Sequence, residues 1–354
     1  MGEVTGRQYA LVGIATLMHF LVDGLCLCCT YLLTSPFNLP HLAAIFITYN
    51  LLAFLSQPLT GWMADRIRHK HWMLLGAVML LAVAVLVTPL VMSSGGESTM
   101  FAVAALLGIG NSLFHVWGGK QVVLQVGNDI RALGVFVSTG AFGLAVAIVF
   151  CSWTLLYIFL LGIIVLATAY VMTDKSESQE HIQRKELPTN SANRSPLNTQ
   201  PSPNPAHRSA RPKGALSKQS GERTLNPQRI SFVIAIAAFV MFRSYLGKEF
   251  SLGAANTDAM ILLVGFVTML GKMAGGWISR WMGVVKALTM ILIVVLVCML
   301  TQRFSPVLPA LAGLFMINCT MPITLYLANS VLPEREGLAF GILAAALMPG
   351  YLVK

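Results

Sequence analysis

Charge is what this sequence has little of. Only 11% of its 354 residues are Asp, Glu, Lys or Arg, against roughly 25% in an average soluble domain. So few charges cannot cover the surface of a water-soluble protein of this size. Acids are scarcer than bases, 14 against 24, which leaves a net charge of +10. A basic excess can signal nucleic acid. Here half of it sits between Asp174 and Arg229, where ten Lys and Arg face five Asp and Glu, and most of the rest lies in short loops between apolar blocks. That pattern belongs to a membrane protein, and no nucleic-acid partner is expected.

Other absences narrow the chemistry. Cys26, Cys28 and Cys29 have no His or second Cys pair at zinc spacing, and no His-Glu-x-x-His motif occurs, so no metal site is expected. Gly265 to Lys272 approaches a phosphate loop, but it is one residue too long and Met273 stands where Ser or Thr is needed. That argues against an ATP-driven pump. Gly110-x-Ser112 suggests a nucleophile turn, yet His115 lies three residues on along the same helix, too constrained to serve as its base. Neither an enzyme nor a bound cofactor is expected. The first apolar block has no short signal-peptide form with a cleavage site, so it is expected to be retained.

What the chain does have is hydrophobic residues, 56% of the total. They fall in blocks of about twenty, long enough to cross a ~30 Å hydrocarbon core as helices. The blocks predict an all-α, multi-pass membrane protein. Helices are expected at about Tyr9–Leu32, Leu42–Ala64, Trp72–Met92, Met100–Val122, Leu133–Cys151 and Trp153–Met172. A second set follows at Ile230–Leu246, Ala259–Arg280, Val284–Thr301, Pro306–Leu332 and from Gly337 onward. Between the sets, residues 174–229 carry seven of the sixteen prolines among many Ser, Asn and Gln. Such a stretch cannot bury a core and reads as a disordered linker. The expected organisation is a six-helix bundle over 1–173, the basic linker over 174–229, and a bundle of about five helices over 230–354, one short of six. The loops around 65–71, 123–132, 174–229, 281–286 and 333–336 hold most of the basic residues, which places them and the N-terminus on the cytoplasmic side.

The two sets echo each other. Gly61-Trp62 followed by Arg66 ends the second helix, and Gly276-Trp277 followed by Arg280 ends the eighth. An offset of six helices is where an internal duplication would put the copy. The stretch Gly61-x-x-x-Asp65-Arg66-x-Arg68-His69-Lys70 resembles the loop signature of the major facilitator superfamily, although that signature has Gly at the position of Arg68. The physical logic is a conformational latch built from Gly61, Asp65, Arg66, Arg68 and Lys70. Gly61 permits close helix approach, and Asp65 can pair with arginines or with the positive N-terminus of a helix in either half. The second copy lacks the acid, so its latch is expected to be weak or absent.

A finer resemblance rests on His19-x-x-x-Asp23, on Gly110-Asn111-Ser112-Leu113-Phe114-His115 with Gly118-Gly119, and on Leu332-Pro333-Glu334-Arg335-Glu336-Gly337-Leu338-Ala339-Phe340-Gly341. Together these resemble bacterial efflux carriers of the fosmidomycin-resistance type. The resemblance implies a drug exporter driven by the proton gradient, in the bacterial inner membrane. Gly140-x-x-Gly143 lacks the Pro that drug antiporters often carry, so metabolite uptake by the same fold stays open, as does a channel or receptor.

Ionisable residues inside a membrane are costly and point to function. His19 and Asp23, four apart on one helix face, are expected to couple transport to the proton. Arg243 lies at an equivalent depth in the seventh helix and is expected to face Asp23 across a central cavity. Asn111, His115, Tyr245 and Asn318 are further candidates for contacts to a small organic substrate, anionic in view of Arg243. Lys120 and Lys272 read as snorkelling residues, and Asn50 and Gln57 as interhelical glue. The lipid bilayer, the substrate and the proton complete the expected partners, with the protein acting as a monomer.

Overall fold

The structure, a computed structural model, describes residues 5–35, 39–67, 71–94, 96–186, 226–254 and 257–352. Arg68 and Lys70 of the expected latch lie outside the described residues. The described secondary structure is helical: α1 (Gly6–Thr34), α2 (Leu39–Asn50), a π-helical turn (Leu51–Leu55), α3 (Gln57–Arg66), α4 (Trp72–Ser94), α5 (Glu97–Val126), α6 (Ile130–Phe150), α7 (Trp153–Glu186), α8 (Pro227–Ala254), α9 (Asp258–Met282), α10 (Val284–Thr301), α11 (Val307–Val331) and α12 (Glu336–Leu352). Ten spans among the described residues are long and apolar enough to cross a membrane, with α2, the π turn and α3 forming one of them. The apolar stretch Glu336–Gly350 in α12 is shorter.

Local chemistry explains where the helices begin and how their polar groups are met. Thr5 and Gln8 form a reciprocal capping box at the start of α1. Asp129 caps α6 and Thr257 caps α9. Hydroxyls within the apolar spans return to their own helix: Thr16, Thr30 and Thr88 each donate to the carbonyl four residues back at 2.7–2.8 Å. Asn50 and Gln57 do the same, donating to Phe46 O and Ala53 O. They flank the π turn and satisfy backbone there instead of joining two helices, contrary to the expectation.

The sixth span also departs from the sequence reading. α7 runs on to Glu186, well past Met172. Asp174, expected to open the linker, is buried against His71 Nε2 at 3.0 Å and Gln125 Nε2 at 3.2 Å. Residues 187–225, most of the expected linker, lie outside the described residues.

The helices pack as two bundles, α1–α7 and α8–α12. The first has a core around Leu25, Leu81, Leu107, Phe136 and Ile163 that continues onto Phe340 and Leu343 of α12. The second is built around Phe250, Ile291, Leu314, Ile317 and Ile323. Across the divide α3 lies against α12 and α6 against α9. At the first crossing Gly61 and Gly337 meet backbone to backbone, and a Cβ on Gly61 would collide with the Gly337 carbonyl.

Candidate functional site

Two arrangements of polar groups stand out. The first lies in the middle of the first bundle. His19 and Asp23 project from one face of α1, and His115 and Asn111 reach them from α5. His19 Nε2 is 2.9 Å from His115 Nε2. Each is 3.3 Å from a carboxylate oxygen of Asp23. The outer ring nitrogens are held in place: His19 Nδ1 lies 2.7 Å from the Phe136 carbonyl, and His115 Nδ1 2.9 Å from the Asn111 carbonyl. A carbonyl can only accept, so both Nδ1 atoms carry hydrogen and donate. Asn111 Nδ2 donates to the Tyr49 hydroxyl at 3.2 Å and lies 3.4 Å from Asp23 Oδ1. Gly140 of α6 closes the cluster. A Cβ there would run into Asp23 Oδ2 and come within 2.6 Å of His19 Nε2.

The structure thus joins four of the sequence candidates, His19, Asp23, Asn111 and His115, and adds Tyr49 and Gly140. His115, expected to touch substrate, belongs to the same cluster as the expected coupling pair. Asp23 is held by the two histidines and Asn111. Arg243 is buried, with Nη1 against the sulfur of Met321. Lys272, read from the sequence as snorkelling, is instead partly buried on α9, where the charges of both Arg243 and Asp23 reach it. Asn318 donates to Leu314 O in its own helix and sits where α11 packs on Gly271. Tyr245 points elsewhere: with Glu249, Phe250, Met299, Gln302 and Arg303 it lines a separate pocket of the second bundle. Ser112, the would-be nucleophile, is 2.7 Å from the Ser56 hydroxyl and 3.0 Å from that of Thr60, close to the π turn.

The second arrangement clamps the bundles together at one end. Asp65, near the end of α3, accepts from the backbone N–H groups of both Gly337 and Leu338 at 2.9 Å. A carboxylate capping the first turn of α12 from the other bundle combines two charge-assisted hydrogen bonds with the helix dipole. Lys120 completes the contact, 3.2 Å from Asp65 Oδ1 and donating to Ala64 O at 2.7 Å, so its expected snorkelling is replaced by a pairing. Arg66 takes no part; its guanidinium stacks on Trp62 in its own helix, 3.7 Å from the ring centroid.

The second copy of the motif makes an analogous crossing with the charges exchanged. A Cβ on Gly276 would strike the Ile130 carbonyl at the start of α6. The acid missing from α9 is present on the other side as Asp129, whose carboxylate is paired with Arg131 at 2.7 Å and feels the charge of Arg280. Partial burial opposes that charge, but the hydrogen bonds and positive charge of Arg131 outweigh it and hold the carboxyl below its usual range. Arg131 also faces the Trp277 ring, 5.4 Å from its centroid. Asn128 Nδ2 lies 3.0 Å from both Tyr326 O and the Ser330 hydroxyl. This end is therefore bridged at both crossings.

Two such crossings between helical bundles have known relatives. The Major Facilitator Superfamily profile matches residues 12–353. The chain belongs to the major facilitator superfamily. Among solved structures, a point variant of the E. coli fucose:proton symporter FucP aligns with a TM-score of 0.62 at 14% identity, covering 99% of this chain and 91% of that one. A FucP structure described as in the outward conformation aligns with the same TM-score of 0.62 at 13% identity, over 98% and 90% of the two chains. At these identities the likeness shows the fold. No curated protein matches. Membership in this superfamily makes the chain a multi-pass membrane transporter by fold.

Proposed function

We propose that the chain is a secondary active transporter that exports a small organic solute by alternating access, coupled to the proton. One observation carries the reading: Asp65 of one bundle caps α12 of the other through two 2.9 Å hydrogen bonds. A contact of that kind cannot survive separation of the bundles at that end, so it marks one of two global states. On the positive-inside reading this end is cytoplasmic, and the state is closed to the cytoplasm and faces outward.

The coupling groups are His19, Asp23 and His115. They form a buried ionisable cluster at mid-helix in a membrane span, where charge is expensive and is kept for function. Arg243 and Lys272 supply positive charge from the second bundle and favour an anionic solute. Gly61, Asp65 and Lys120 form the latch, and Asp129 with Arg131 and Arg280 supports the second crossing.

The test is solute accumulation in cells expressing the full chain, across external pH, beside Asp23→Asn. Accumulation of fosmidomycin and a small drug panel should fall with the wild-type chain and recover with the variant or with a collapsed proton gradient. Normal export by Asp23→Asn at every pH would defeat the coupling role. A second reading, uptake symport, draws on the printed activity of FucP. It predicts raised accumulation of a metabolite, with the same dependence on Asp23.

A further inference from the structure

His19, Asp23 and His115 form, we propose, a binding site for a divalent transition-metal ion of the zinc type. Among the described residues they are the one place where three potential metal-ligating side chains converge, with their ligand atoms all within 4.8 Å of one another. Zinc spacing in the sequence could not reveal it, because His115 is 96 residues from His19.

The argument is one of lone pairs. Both Nδ1 atoms donate to backbone carbonyls, so in the neutral rings each Nε2 offers a lone pair. Those two lone pairs face each other across 2.9 Å, with carboxylate oxygens 3.3 Å from each. Three acceptors aimed at one point repel unless a cation lies between them. A proton joins only one pair of these atoms at a time. A metal ion satisfies all three.

The dimensions fit. Tetrahedral zinc with ligands at about 2.0–2.1 Å separates its ligand atoms by ~3.3 Å. Each Nε2 already lies at that distance from its own carboxylate oxygen of Asp23, His19 from Oδ2 and His115 from Oδ1, and the two nitrogens, now 2.9 Å apart, open by about 0.4 Å to reach it. Neutral imidazole Nε2 with Nδ1–H bonded to a carbonyl is the outer-shell arrangement that orients a zinc-binding histidine. Two histidines and one carboxylate leave a fourth position for water or solute. The side chains of His19, Asp23 and His115 retain 6%, 15% and 13% of their exposure, so none of the three is fully sealed. One group opposes the ion: the positive charge of Lys272 on α9 reaches both Asp23 and His115. Removing that charge should therefore tighten binding. His71, which pairs with Asp174 outside the cluster, has no reason to respond.

The proposal stands apart from the transport reading, since its test needs no solute. Full-length chain, purified and stripped with chelator, is titrated with Co2+ as a spectroscopic probe, followed by displacement with Zn2+. One Co2+ per chain should bind with the intense visible bands of a low-coordinate nitrogen–oxygen site. His115→Gln and His19→Gln should each weaken binding at least tenfold. Lys272→Met should strengthen it several-fold, and His71→Gln should leave it unchanged. Absence of those bands in the wild-type chain overturns the proposal. So does equal affinity in both cluster-histidine variants and the wild-type chain, which would mean adventitious binding elsewhere. Should the glutamine variants fail to fold, Lys272→Met decides, and an unchanged affinity counts against the site.

Discussion

The perturbation with the clearest expected consequence is Asp65→Asn. The carboxylate accepts two backbone hydrogen bonds, one on each oxygen, from the first turn of α12. Asparagine keeps one acceptor and turns an NH2 toward the other N–H, so one bond is lost and two donors oppose each other. Hydrogen bonds to charged groups contribute about 1.5–3 kcal/mol each, and the charge at a helix N-terminus adds roughly 0.3–1 kcal/mol. The bundle-closed state should lose about 3 kcal/mol relative to the opened one. At 1.4 kcal/mol per decade that is a shift of ~100-fold in the ratio of the two states. Two exposed positions at that end report it, Leu124 on α5 and Trp281 on α9. Spin labels on cysteines placed there, with the native cysteines replaced, should give one short distance in the parent. Asp65→Asn should show a second, longer population. An unchanged distance distribution would refute the assignment of Asp65 as the group that holds this end closed.

Lys120→Met should shift the same distribution in the same direction but by less, about 1 kcal/mol, because the two backbone bonds to Asp65 remain. Gly140→Ala pushes a methyl group against Asp23 and His19; overpacking of this kind costs about 1–3 kcal/mol in thermal stability, and proton-dependent export should fall at least tenfold in the accumulation assay. Asp129→Ala should destabilise the protein by about 1 kcal/mol or more through loss of the α6 cap, whereas Asp129→Asn keeps the cap and costs less than about 1 kcal/mol. Its carboxyl is held below the unfolded value, so the ion-pair contribution is present above about pH 4 and fades as pH falls through the folded value; thermal melts of the parent and Asp129→Asn should converge in acid.

Hydropathy made the spans legible, because lipid imposes one requirement on every residue of a crossing helix. The pairing of His19 with Asp23 was legible too, since a spacing of four fixes a shared face. The convergence of His115 on that pair was not, because it depends on how α1 packs on α5. The two lysines were misread for a related reason. A lysine toward the inner end of an apolar helix looks the same whether it snorkels or meets a carboxylate, and Asp65 lies 55 positions before Lys120. Tyr245, expected among the substrate contacts, follows Arg243 by two residues. Two residues turn a helix by about 200°, which carries it into the second bundle's own pocket.

The π turn at Leu51–Leu55 left no mark in the hydropathy, since all five residues are apolar. It nevertheless governs distant chemistry. A π turn is an α-helix with one residue inserted, and each residue rotates the remainder of the helix by about 100°. Winding the same five residues as regular α-helix, with no wide turn to absorb the extra one, would swing the whole of α3 around its axis by roughly 100°. Gly61 would leave the backbone of Gly337, and Asp65 would face away from α12. The alignment of the clamp is thus written ten residues upstream of its carboxylate, in a stretch with no ionisable side chain.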